Sequence, residues 1–360
     1  MDVKNKMKAA MLYGIHDIRI EEIDVPKIIE EEDVLIKVGA CGVCPTDVRS
    51  YTGTSKPPKY PVLLGHEVSG EIVEMGKMAK KYFIEGQRVT ILPAWPCHMC
   101  TSCRLGLTDS ISIAMCDNFK GSLGPSAGKF SENVGGFAEY IKVPADVVYP
   151  IPDNLSYEEA ALVEPMGSCL NAVEWGAKVE IGDNVLVIGA GFMGVATAQF
   201  CKIRGGRVII SDLFDDKLEI AKKMGVDRTV NVKKENIVEA VNEFTNGRGA
   251  DKVIIAVGGV QPLQDAMATI GKAGRIVLLG SYHPPIKVEI DPNLFHYKMV
   301  TLTGIEGFTA VQFQKIISLL SYGTISVKPL ITGTFKLEKI EDAFKMVEKG
   351  EGMRKVVKFE

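Results

Sequence analysis

From about residue 184 onward the hydrophobic positions fall in continuous runs rather than alternating ones. Asn184-Val185-Leu186-Val187-Ile188, Val208-Ile209-Ile210-Ser211-Asp212, Val253-Ile254-Ile255-Ala256 and Arg275-Ile276-Val277-Leu278-Leu279 are separated by stretches of helical character. Strands apolar on both faces, alternating with helices, predict a parallel, doubly wound sheet. A helix is expected from about Gly191 to Arg204. The first part of the chain has another texture. Val34-Leu35-Ile36-Lys37-Val38, Gly70-Glu71-Ile72-Val73 and Arg88-Val89-Thr90-Ile91 read as short strands between Gly, Pro and charged turns. Near residue 156 the texture changes: Ser156 followed by Glu159 is a capping-box pattern before an apolar stretch. From about Met299 the tail returns to short strands and two amphipathic helices.

With 360 residues the chain exceeds the usual single core, so two domains are expected. Its 46% hydrophobic and 24% charged content is that of an ordinary globular protein. A net charge of -3 gives no reason to expect nucleic acid or an anionic membrane as partner. No stretch approaches the ~18 unbroken apolar residues of a membrane span. Met1 to Lys8 is polar and lysine-rich with no apolar segment behind it, so no export signal and a cytoplasmic location are expected. That compartment bears on the eight cysteines, because in a reducing cytosol crowded CxxC pairs favour a metal over disulfides.

Three clusters carry candidate chemistry. Gly189-Ala190-Gly191-Phe192-Met193-Gly194 lies between a predicted strand and a predicted helix. In such a loop Gly189 permits the turn, Gly191 lets backbone approach a pyrophosphate, and Gly194 lets helix pack on strand. Phe192 and Met193 then begin the helix whose N-terminus faces the phosphates. Asp212, 18 residues beyond Gly194, is placed to bond the adenosine ribose hydroxyls and to repel a 2′-phosphate, which favours NAD over NADP. In the second cluster Cys97, Cys100 and Cys103 are each two residues apart, and Cys116 follows after twelve. Four thiolates around one ion make a structural zinc site with no open position. The third cluster is Cys44 with Thr46 and Asp47, and Gly65-His66-Glu67. Here a redox dithiol of Cys41 and Cys44 competes with a metal site. Zinc polarises oxygen and a nicotinamide moves hydride, so the combination points to oxidation of an alcohol or reduction of a carbonyl.

These motifs, taken in order with Val163-Glu164-Pro165, the tail Glu341-Asp342-Ala343-Phe344 and the ending Lys355-Val356-Val357, resemble the zinc-containing medium-chain alcohol dehydrogenases over nearly the full length. The sorbitol, threonine and polyol branch is nearest. The resemblance implies a GroES-like β-rich catalytic domain over 1–156 and 299–360, with a structural zinc lobe at about 93–120. A Rossmann NAD-binding domain over 157–298 would be inserted into it. It also implies an active site in the cleft between the domains, a homodimer or homotetramer, and two zinc ions per chain. Catalytic zinc is placed on Cys44, His66 and Glu164, with Glu67 as a carboxylate that exchanges onto or off the metal. Thr46 takes the alcohol proton, Asp47 orients a zinc ligand, most naturally His66, and Lys217 lies near the adenosine ribose. Cys169 is read as a core thiol. Tyr51, Phe119 and Glu306-Gly307-Phe308 would line the pocket by analogy.

Two departures from the family pattern stand out. Arg49 occupies the position where many relatives carry the histidine that ends a proton relay, and arginine cannot act as a base. The Arg104 to Met115 spacer is longer than usual, which leaves Asp109 as an alternative to Cys116. The expected substrate is a small secondary alcohol, namely a polyol, sugar or related hydroxy compound. Threonine oxidation and a non-catalytic dinucleotide-binding role are the alternatives.

Overall fold

Buried at all five positions, Asn184–Ile188 takes an inner place in a parallel six-stranded sheet. The computed structural model describes residues 5–55, 60–124 and 134–359. The strand order is Arg228–Asn231, Arg207–Asp212, Asn184–Ile188, Ala250–Ile255, Ile270–Leu278, Thr301–Gly304, with every neighbouring pair parallel. This 3-2-1-4-5-6 sequence of strands is the Rossmann order, and its ligand crevice lies beyond the carboxyl ends of the strands. Helix Phe192–Ile203 begins and ends within one residue of its expected limits. On one layer of the sheet Leu186, Ile209, Val253, Ile255 and Ile276 form a core with Val241 and Ala266.

The β-rich part is organised around Asp33–Val43, which pairs antiparallel with Glu67–Met75, Tyr140–Pro144 and Arg354–Lys358. Arg88–Ile91 and Val148–Pro150 extend the sheet on one side, and Ile331–Phe335 on the other. A smaller sheet of Asp17–Asp24, Lys6–Gly14 and Val62–Leu63 accompanies it. The capping box at Ser156 and Glu159 is present and starts helix Tyr157–Ala161.

The chain divides into two compact units, Met1–Pro165 with Thr309–Glu360, and Met166–Phe308. Both boundaries lie about ten residues beyond those read from the sequence, at 156 and 299, and each shift has a cause. Helix Tyr157–Ala161 belongs with the β-rich unit, because Ser69 Oγ donates to the Tyr157 carbonyl at 2.5 Å and Thr90 Oγ1 donates to the Ala160 carbonyl at 3.0 Å. Thr301–Gly304 is the sixth Rossmann strand rather than part of the returning tail; it is a short, partly exposed edge strand without an apolar run to announce it. Among the described residues no helix is long and apolar enough to cross a membrane.

The chain's two tryptophans fall one in each unit, Trp95 and Trp175. Truncating Leu186 to alanine is expected to cost the Rossmann unit about 2–5 kcal/mol. Urea unfolding followed by Trp175 fluorescence in a Trp95→Phe background should show the lowered midpoint. An unchanged midpoint would remove Leu186 from the core.

Candidate active site

Strand Asp33–Val43 runs straight into helix Pro45–Thr52, with Cys44 as the helix N-cap. Pro45 suits the first helical position, where an N–H would go unbonded. Asp47 turns back over this start. Its Oδ2 accepts the Cys44 N–H at 3.2 Å, and its Oδ1 accepts the Gly65 N–H at 3.2 Å and lies 3.5 Å from His66 Nδ1. Asp47 is fully buried. Its carboxylate therefore fixes the segment carrying Cys44 against the turn carrying His66, the position expected of a group orienting a ligand. Gly65 makes that turn with φ of +95°, a region open to glycine at little cost.

Glu67 begins the next strand and faces Gly42 across the ladder. A Cβ at Gly42 would overlap Glu67 Oε2, so the missing side chain is what makes room for the carboxylate. Arg354, 4% exposed, places Nη1 3.2 Å from Glu67 Oε1 and donates to the Val43 carbonyl at 3.2 Å. The sequence reading missed Arg354; a lone arginine beside the apolar Val356-Val357 pair was its one signal.

Donor atoms of Cys44, His66 and Glu67 lie within 4.8 Å of one another. Glu164, on helix Val163–Asn171, lies outside that group, although its charge is felt there. Burial, Glu67 and Asp47 push the Glu164 carboxyl up to about 7, against the pull of His66 and Arg354. Burial opposes charge on His66, but Asp47 and Cys44 outweigh it and raise its pKa well above the usual histidine value. Burial also raises Glu67, while Arg354 and His66 pull it down. Thr46 Oγ1, His66 Nδ1 and both Glu67 oxygens are buried without a hydrogen-bond partner among the described residues. A sulfur, an imidazole and a carboxylate converging with unfilled polar atoms fit a zinc ion with an open position. Cys41 fits no dithiol: it is fully buried, donates weakly to the Gly42 carbonyl at 3.6 Å, and burial raises its pKa far from that of an activated thiol.

Sulfurs of Cys97, Cys100, Cys103 and Cys116 also lie within 4.8 Å of one another, and none is in a disulfide. Backbone N–H groups of Met99 and Cys100 point at Cys97 Sγ from 3.4 and 3.3 Å and draw its pKa down to about 6. The Cys97 N–H points in turn at Cys116 Sγ from 3.3 Å. Thiolates so solvated by backbone fit a closed tetrahedral zinc site. The long spacer folds into helix Leu107–Ser110 and the 3₁₀ turn Ile113–Met115, which return Cys116 to Cys97 at 3.7 Å between sulfurs. Asp109 stays outside the group. Pairing of Ala94–Trp95 with Gly121–Ser122 closes the lobe.

In the Rossmann unit Gly189 adopts φ of +100° and its N–H donates to the Ser211 carbonyl at 2.8 Å. A Cβ at Gly194 would overlap the Gly189 carbonyl, whereas one at Gly191 would meet nothing within 4 Å. Gly191 thus faces open space, as a backbone surface meant for a pyrophosphate must. The Phe192 side chain is buried, and Met193 Sδ lies 3.7 Å from the buried Cys169 thiol, so these two present backbone rather than side chain to a ligand. Asp212 ends its strand half-buried, and Lys217 Nζ lies 5.0 Å from the centroid of the Phe214 ring.

The residues placed in the pocket by analogy lie in differing surroundings. Tyr51 is buried, donates from its hydroxyl to Glu341 at 2.8 Å, and packs edge-on against Phe344 and His16. That contact accounts for the Glu341-Asp342-Ala343-Phe344 motif. Phe308 is buried over Gly167, Glu306 is exposed, and Phe119 is half-buried. Arg49 is half-buried and makes no ion pair among the described residues.

The chain is similar to known proteins over nearly its whole length. Residues 30–153 match the alcohol dehydrogenase GroES-like domain, and residues 193–322 match the zinc-binding dehydrogenase family. The chain is 33% identical to sorbitol dehydrogenase of Bacillus subtilis over 95% of its own length and 93% of that protein's. It is 32% identical to L-threonine 3-dehydrogenase of Legionella pneumophila, covering 97% and 98%. A zinc-binding dehydrogenase structure from Sinorhizobium meliloti bound to NADP superposes with a TM-score of 0.89 at 28% identity, covering 99% of this chain and all of that one.

Metal analysis separates the two sulfur-bearing sites. Cys44→Ser and Cys103→Ser should each lose about half of the bound zinc, with thermal stability falling mainly in Cys103→Ser. Full zinc retention by Cys44→Ser would remove Cys44 from the donor set.

Proposed function

Because the chain belongs to the zinc-binding alcohol dehydrogenase family, oxidoreductases that act on CH–OH donors with zinc and a nicotinamide cofactor, we propose that it oxidises a hydrophilic secondary alcohol, a polyol, sugar or related hydroxy compound, with NAD. The observation that carries this reading is the convergence of Cys44, His66 and Glu67 beside the unpartnered Thr46 hydroxyl. Cys44, His66 and a carboxylate from Glu67 or Glu164 would hold the zinc, which would supply a Lewis acid for the substrate oxygen. Thr46 Oγ1 takes the substrate's hydroxyl proton and passes it on. Arg49 stays protonated and cannot receive it, so the proton leaves to solvent or to the buried Glu67 carboxylate. Asp47 keeps Cys44 and His66 in register while this happens.

Gly189 makes the turn, Gly191 lets the pyrophosphate approach the backbone and Gly194 lets the helix pack close, while Phe192 and Met193 contribute N–H groups at the helix start, and Asp212 and Lys217 address the adenosine ribose. The Asp212 carboxylate is the support for NAD over NADP; bound NADP belongs to the Sinorhizobium meliloti relative. A second reading, L-threonine oxidation, is supported by the comparable identity to the Legionella pneumophila enzyme. We read the protein as a cytoplasmic homodimer or homotetramer. Its eight cysteines, all free of disulfides, support the cytoplasmic part of that reading.

Absorbance of NADH should rise on one class in a panel of polyols, sugars, cyclitols, L-threonine and simple secondary alcohols. Cys44→Ser should bring that rate to background. Turnover confined to L-threonine would select the second reading. Turnover on no class, with NAD still bound, would turn the reading toward a non-catalytic dinucleotide-binding protein.

A further inference from the structure

The Asp212 carboxylate is engaged on both oxygens before any ligand arrives. Its Oδ2 accepts the Ala190 N–H at 2.7 Å, and its Oδ1 accepts the N–H groups of Leu213 at 2.7 Å and Phe214 at 3.1 Å. The first of these bonds spans from one strand to the turn of another. The parallel ladder between Asn184–Ile188 and Arg207–Asp212 ends at Ile188 opposite Ser211, and the Gly189 N–H bonds the Ser211 carbonyl. Ala190 is the next residue, beyond the ladder. The Asp212 side chain carries the pairing one step further, into the glycine loop itself.

That step matters because Ala190 lies between two glycines, where the backbone has many conformations available. Gly189 holds φ of +100°, and Gly191 borders open space. The segment that supplies the carboxylate has a second anchor, since the Lys217 and Lys233 ammonium groups lie 5.0 and 4.8 Å from the centroid of the Phe214 ring. Resting on the reading of Gly189–Gly194 as the dinucleotide site, we propose that Asp212 is a positioning residue for that loop. Its Oδ2 fixes the Ala190 N–H, and through it the phosphate-facing backbone, independently of any bond to ribose. Replacing Asp212 to admit a 2′-phosphate therefore loosens the loop for every dinucleotide, whichever nucleotide it carries.

An NAD analogue lacking both hydroxyls of the adenosine ribose separates the two roles. Dissociation constants for NAD and for this analogue would be measured by calorimetry with wild type, Asp212→Ala and Asp212→Asn. Asparagine has one acceptor oxygen. However the amide is turned, its NH₂ faces either the Ala190 N–H or those of Leu213 and Phe214. Both variants are expected to bind the dideoxy analogue about tenfold or more weakly than wild type does. Equal binding of the analogue by all three proteins, with weakening confined to NAD, would overturn the proposal while leaving the dinucleotide site intact. No NAD binding by wild type would overturn both. Amide hydrogen exchange in the ligand-free protein supplies a check that needs no cofactor. Ala190 should exchange about tenfold faster in Asp212→Ala, with Asn184–Ile188 still protected, and unchanged exchange at Ala190 would overturn the proposal.

Discussion

The Asp47 carboxylate has no exposure to solvent, yet it joins the helix start at Cys44 to the turn at Gly65 and His66. Burying such a charge costs several kcal/mol unless donors surround it. Here two backbone N–H groups donate to it and the His66 imidazole lies 3.5 Å away, and each belongs to a segment that must be correctly placed for the charge to be tolerated. The constraint works in both directions. A shift of the Cys44 segment strands a buried carboxylate, and the carboxylate in turn resists that shift. The geometry of the proposed donor set is in this sense held by electrostatics from behind, with the strands on either side supplying stiffness.

Around that anchor the catalytic unit concentrates charge in a small space. Glu67 and Arg354 are nearly inaccessible, and Glu164 is close enough for its carboxyl to respond to all of them. Burial raises both Glu67 and Glu164, and neighbouring carboxylates add to it, Asp47 for Glu67, and Glu67 with Asp47 for Glu164. The converging sulfur, imidazole and carboxylate donors make the cluster a place where a divalent cation would be stabilised. The four-sulfur lobe reaches the same end by another route, with backbone N–H groups turned toward thiolates.

The sequence was legible where function depends on spacing along the chain. Cysteines two residues apart, a glycine loop between a strand and a helix, and an acid at the next strand end are local patterns, and all are found in the expected structural context. Illegible parts depend on partners distant in the chain. Nothing near Glu67 announces Arg354, and nothing near Tyr51 announces Glu341. The competition between Glu67 and Glu164 for nearness to Cys44 and His66 is likewise invisible in one dimension; geometry groups Glu67 with them. Thr301–Gly304 escaped notice for another reason. An edge strand with one side open carries no apolar run, so hydrophobic periodicity has nothing to detect.

Arg354–Lys358 occupy the slot beside Asp33–Val43, and the whole Rossmann unit lies between the two strands in the chain. A ribosome therefore releases the whole Rossmann segment before the catalytic sheet can close. The inserted unit has its own parallel ladder and core, and domains generally fold as units during synthesis. The strands ahead of the insertion must meanwhile wait with the Ala40–Val43 stretch of Asp33–Val43 unpaired on one edge, and an open edge is a template for pairing with another chain. Nascent protein truncated before residue 354 would carry this hazard in its most acute form, so the order of synthesis makes strand Arg354–Lys358 a safeguard against misassembly as well as the source of the Arg354 guanidinium beside Glu67.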